Sequence, residues 1–126
     1  MKILVDTHTL LWALRSPERL SATSRDLLSD RATTILVSHV TLWEMVLKLR
    51  ELGLPLALGP YLDQSMTRLG ATWLPLAMNH MLAVLNLPPI HRDPFDRLLV
   101  AQAAHEQIPL ISADATLARY PVRIIW

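Results

Sequence analysis

Four acidic side chains stand where carboxylates can work together: Asp6, Glu44, Asp96 and Asp114. Asp6 directly follows the apolar run Ile3-Leu4-Val5, and Asp114 follows Leu110-Ile111 by way of Ser112 and Ala113. Glu44 lies early in an amphipathic stretch beyond the run Thr34 to Val37, and Asp96 falls in the first turn of a helix opened by Asp93-Pro94. If the apolar runs are strands of one parallel sheet, the acids gather at its carboxyl edge, where open α/β sheets bind ligands. Packing them together is costly, since two unit charges ~4 Å apart repel by about 4 kcal/mol at an effective dielectric near 20. Something positive must sit between them. Hard oxygen donors select Mg²⁺, with Mn²⁺ able to substitute. Zinc is disfavoured, because the chain has no cysteine and no His-x-x-x-His pair on a helix.

Each acid also has a local explanation. Asp6 could cap a helix after the first strand, and Thr41-Leu42-Trp43-Glu44 matches a capping box in which the glutamate reaches back to the cap residue. Asp96 could complement a helix dipole, Asp93 could cap through its Asp-Pro pair, and Ser112-Ala113-Asp114 could be an ordinary helix start. Capping accounts for these residues one at a time. It gives no reason for all of them to meet at the functional end of a sheet.

The elements that must bring them there are legible as runs and periodicities. Ile3 to Val5, Thr34 to Val37, Thr72 to Leu74, Leu110-Ile111 and Val122 to Ile125 read as strands. Their continuous rather than alternating apolar character is that of strands covered on both faces. Helices are expected at Thr9 to Leu14, Ser21 to Asp30, Thr41 to Leu52, Pro60 to Leu69, Asn79 to Leu85 and Phe95 to Glu106, with a short turn or helix from Ala115 to Arg119. Gly53 is expected to stop the third of these. The expected fold is an α/β class, three-layer α/β/α sandwich with a mainly parallel central sheet of about five strands, residues 1–126 forming one domain.

Composition narrows the function classes. A net charge of +1 gives no overall field to draw in nucleic acid, although ten of the twelve basic residues are arginine, which grips phosphate with two hydrogen bonds. Only three glycines are present, and no Gly-rich phosphate loop or Gly-x-Ser-x-Gly elbow occurs. The 52% hydrophobic content and mean hydropathy of +0.29 suggest apolar surface that meets a partner. The longest apolar stretch is broken by prolines and asparagines, and the start lacks a secretory apolar region, so a cytoplasmic location without a membrane span is expected. Of the histidines, His8 and His91 are expected near the acids, with His39, His80 and His105 structural or on the surface.

The residues assembled above resemble the PIN-domain family, and within it the VapC-type toxins of type II toxin–antitoxin pairs. Ile3-Leu4-Val5-Asp6-Thr7-His8 is similar to that family's first strand and first acid, and Ser38 to Lys48 to its second acidic motif. The segment His91 to Ala103, containing His-Arg-Asp-Pro-Phe-Asp-Arg-Leu-Leu, is the most specific part, and Leu110 to Asp114 completes the order. The resemblance implies that Asp6, Glu44, Asp96 and Asp114 are the catalytic, metal-binding carboxylates, supported by Asp93, Ser112 and Thr7. Ser112 stands where many relatives have threonine. The implied reaction is Mg²⁺-dependent endonucleolytic hydrolysis of RNA, leaving a 5′-phosphate and a 3′-hydroxyl, with Arg92, Arg97 and Lys48 as candidates for RNA phosphate, against the somewhat stronger alternative that they are solvated helix charges or, for Lys48, an i+4 partner of Glu44. It further implies a cognate antitoxin and a homodimer. Trp12, Trp43 and Leu52-Gly53-Leu54 are candidates for such a surface, though core packing is the expected role of both tryptophans. The rival expectation is a PIN-like module that binds RNA or protein without cutting. Clustered negative charge argues against it, because a binder of polyanions gains nothing from it.

Overall fold

A computed structural model describes residues 1–126. Its centre is a five-stranded, wholly parallel sheet in the order β3-β2-β1-β4-β5, where β1 is Lys2–Val5, β2 Thr34–Ser38, β3 Ala71–Leu74, β4 Leu110–Ile111 and β5 Ile124–Ile125. Strand alternation divides the core in two. Ile3, Val5, Ile35, Val37 and Ile111 pack on one face with Leu10, Leu11, Leu62 and Met66, whereas Leu4 and Leu110 pack on the other with Leu99, Val100, Ala103 and Tyr120. The first face is covered by α1 (Thr7–Arg15), α2 (Ala22–Ser29) and α4 (Leu58–Leu69), the second mainly by α6 (Pro94–Glu106). Burying both faces explains why the strands read as unbroken apolar runs.

The remaining helices are α3 (His39–Leu47) and α5 (Met78–Ala83), with 3-10 turns at Pro17–Arg19, Val84–Asn86 and Ala115–Arg119. The helix expected from Thr41 to Leu52 is displaced toward the N-terminus. Ser38, the last residue of β2, accepts the Val40 N–H at 2.9 Å, so the helix starts straight off the strand and ends at Leu47. Turns then lead to Gly53, whose φ of 64° is a left-handed geometry that favours glycine. Thr41 is therefore inside the helix, and the capping box expected to occupy Glu44 does not form. No helix is long and apolar enough to cross a membrane.

Candidate metal centre

The chain leaves β1 toward β2 and β3 on one side, then returns to place β4 and β5 on the other. The order therefore reverses between β1 and β4, and crevices form at such reversals beyond the strands' carboxyl ends. The register pairs Val5 with both Val37 and Ile111, so the three strands finish level with one another. Just past that edge lies a cleft of ≈ 350 Å³ whose lining includes Asp6, Glu44, Asp93, Asp96 and Asp114. All four acids expected at the site, and Asp93 with them, border this one space. Lys48 is the one basic side chain on its wall besides His8.

Each acid is fixed by its element. Asp6 caps α1, with Oδ1 accepting the Thr9 N–H at 2.8 Å, while its own N–H donates to Ile111 O of the neighbouring strand. Capping and site membership coincide here. Glu44 projects from the second turn of α3, where Thr7 Oγ1 donates to Oε1 at 2.6 Å and Lys48 Nζ lies 2.8 Å from Oε2. This i,i+4 ion pair raises the Lys48 ammonium above its usual value, chiefly through its hydrogen bond to Glu44. Asp93 Oδ1 accepts from Phe95 N and Asp96 N, starting α6 so that Asp96 stands in its first turn. Asp114 Oδ1 accepts from Thr116 N and Thr116 Oγ1, and Ser112 Oγ accepts the Asp114 N–H. Thr7 and Ser112 are thus held against acids.

Electrostatically, Asp96 is the residue at odds with its surroundings. Burial first, then the charges of Asp93, Asp6 and Glu44, push its carboxyl up to about 6. Asp114 moves the other way, below the usual carboxylate range, because of hydrogen bonds from Thr116 and His91. A ring nitrogen of His91 and carboxylate oxygens of Asp96 and Asp114 lie within 4.8 Å of one another. Several oxygen donors around one partly buried, over-negative point fit a hard divalent cation, and no thiolate is available to favour a softer one.

A family model described as PIN domain matches residues 3–122. The chain belongs to the PIN-domain family. Among solved structures, this PIN domain is similar to VapBC2 from Rickettsia felis bound to a DNA fragment from its promoter, at 13% identity and a TM-score of 0.70, covering 99% of this chain and 98% of that one. It is also similar to DNA-bound VapBC from Salmonella typhimurium, at 15% identity and a TM-score of 0.71, covering 99% of this chain and 97% of the other. At such identities the likeness concerns the fold. No curated protein matches the chain.

Other expectations fare differently. Arg97, a candidate for phosphate, donates to the carbonyls of Pro88 at 2.9 Å and Val84 at 3.4 Å, so its guanidinium ties α6 to the segment after α5. Arg92 is exposed and does not border the cleft, whereas Lys48 does. Trp43 is 57% exposed rather than packed in the core, because it lies off the face of α3 that buries Val40, Thr41, Glu44 and Met45. Trp12 lines the cleft, leaning on Trp126 with Arg19 stacked on its ring at 4.5 Å. Its place beside the acids carries no sequence signal except that position 12 lies on the helix that Asp6 caps.

Proposed function

We propose that this PIN domain is a Mg²⁺-dependent endoribonuclease, the toxin of a type II toxin–antitoxin pair. The observation that carries the reading is the convergence of Asp6, Glu44, Asp96 and Asp114 on one cleft at the sheet's reversal point. Members of the family are generally nucleases, which supports a hydrolytic role. Asp6, Asp96 and Asp114 would hold the ion, with Glu44 beside them; when bound, a divalent cation supplies Lewis acidity at the scissile phosphate and acidifies nearby water. The protein's own part is to arrange charge. Asp96 gives up its proton to become a donor, Thr7 keeps the Glu44 carboxylate oriented, and Lys48 offers an ammonium to a phosphate oxygen at the rim. Trp12, on the wall of the same cleft, is a candidate to stack an unstacked base, a mode common in single-stranded RNA recognition.

The antitoxin belongs to this reading because the similar folds come from VapBC assemblies. Exposed apolar side chains on α3 (Trp43, Val46, Leu47) and α5 (Met78, Met81, Leu82) supply surface for protein partners, including a second copy in a homodimer. The test is incubation of purified protein with total RNA, with and without Mg²⁺, followed by mapping of the cut ends. Cleavage is expected only with the metal, and Asp6→Asn is expected to abolish it. Equal cutting by that variant would reject the assigned role.

A further inference from the structure

The nearness of His91 to Asp96 and Asp114 invites the idea that its ring is a third metal ligand. The protons around it point elsewhere. Thr116 Oγ1 has one hydrogen, and its 2.6 Å contact with Asp114 Oδ1 uses it. His91 Nε2 lies 2.9 Å from that same hydroxyl and 3.1 Å from Asp114 Oδ2. Were Nε2 bare, both contacts would set acceptor against acceptor, with no hydrogen to share. A proton on Nε2 satisfies both. On the other side of the ring, the buried Tyr120 hydroxyl accepts the His91 backbone N–H at 2.7 Å and lies 3.1 Å from Nδ1, to which it can donate. The tyrosine thus favours the tautomer that the aspartate needs.

Asp114 then receives three hydrogen bonds from side chains and backbone, two on Oδ1 and one on Oδ2. A carboxylate has about four acceptor directions, so one remains on Oδ2. We propose that His91 is a positioning residue that holds Asp114 for the ion through an Nε2–H bond, with Tyr120 setting its tautomer, and does not itself ligate. The proposal rests on the reading that the cleft acids bind a divalent cation. It also gives the histidine that begins the His91 to Leu99 segment a task separate from substrate contact. Donors behind metal-ligating carboxylates characteristically change metal affinity about 10–100-fold when removed.

Two measurements test it. In the metal-free wild type, nitrogen-15 NMR of the His91 ring is expected to find a proton on Nε2, and Tyr120→Phe, which removes one hydroxyl, to yield mixed tautomers. A bare Nε2 in the wild type overturns the proposal. Mn²⁺ titration followed by electron paramagnetic resonance is then run on the wild type, His91→Ala, His91→Gln and Tyr120→Phe. His91→Ala is expected to weaken Mn²⁺ at least about 10-fold, with most of the loss restored by His91→Gln, whose amide can still donate. Tyr120→Phe, which guards against misfolding of the alanine variant, is expected to weaken it less, and the spin-echo spectrum to show no directly bound nitrogen. Unchanged affinity in His91→Ala, or nitrogen bound to manganese, overturns the positioning role while leaving the cation reading intact. A wild type that binds no Mn²⁺, even with the Nε2 proton in place, overturns both.

Discussion

Glu44 and Asp96 border the same cleft, yet their surroundings are opposite. Glu44 is supplied with a cation from its own helix, since Lys48 sits one turn on, and with a hydroxyl from Thr7. Asp96 takes part in no salt bridge, and burial, then the charges of Asp93, Asp6 and Glu44, hold its proton on to about pH 6. One side of the site is neutralised from within, and the other is left to be neutralised from outside. The difference locates where a divalent cation gains most, because its charge relieves repulsion that the fold itself leaves standing.

The strongest way to break this contrast is Asp96→Asn. It is expected to lower Mg²⁺-dependent RNA cleavage by on the order of 100-fold or more, measured as initial rate on a short RNA. The same variant should stabilise the metal-free protein. Asp96 holds its proton more tightly folded than unfolded, so its contribution to stability is greatest below the ordinary value of 3.8 and is lost as pH rises through about 6. At neutral pH the ionised carboxylate therefore opposes folding. Its neutral isostere should recover about 1 kcal/mol after solvent screening, seen as a melting temperature raised by about 4 °C.

Acid should sharpen the contrast next. Below about pH 6 a cation must displace the Asp96 proton, so Mn²⁺ affinity followed by calorimetry is expected to fall about tenfold per pH unit there and to level off above. In Asp96→Asn the slope should vanish. Lys48→Met gives the smallest effect, removing the internal cation and leaving Glu44 unpaired. An i,i+4 pair is worth about 0.3–0.5 kcal/mol, so stability should drop by that order while Mn²⁺ affinity rises a few-fold toward the now more negative cleft. A fall in affinity would mean that Lys48 supports the metal rather than competing with it.

Much of this candidate site is legible in the sequence, for reasons that differ from residue to residue. Asp6 and Asp114 could be placed because each follows an apolar run that had to be a buried strand, and the Asp93-Pro94 pair marked the start of the helix bearing Asp96. Glu44 falls on α3 with either helix start. Thr41 with Glu44 matches a capping box and Ser38 is an equally good serine cap, and the choice between them rests on where β2 ends against β1 and β3, which is tertiary information. Arg97 in the His91 to Leu99 segment suggested phosphate, but the carbonyls of Val84 and Pro88 lie within its reach only after α5 docks on α6. The Tyr120 brace was invisible for the same reason, since nothing at position 120 advertises a partner 29 residues away. Local pattern marks the candidate acids; contacts between distant segments decide which neighbours tune them.

The central claim is that a divalent cation occupies the under-compensated side of the cleft. Crystals soaked in Mn²⁺ and measured at the manganese absorption edge test it most directly. The account predicts an anomalous peak within about 2.5 Å of carboxylate oxygens from Asp96 and Asp114, on the side of the cleft away from Lys48. A map with no peak there, or with the ion bound only outside the acids, would contradict it.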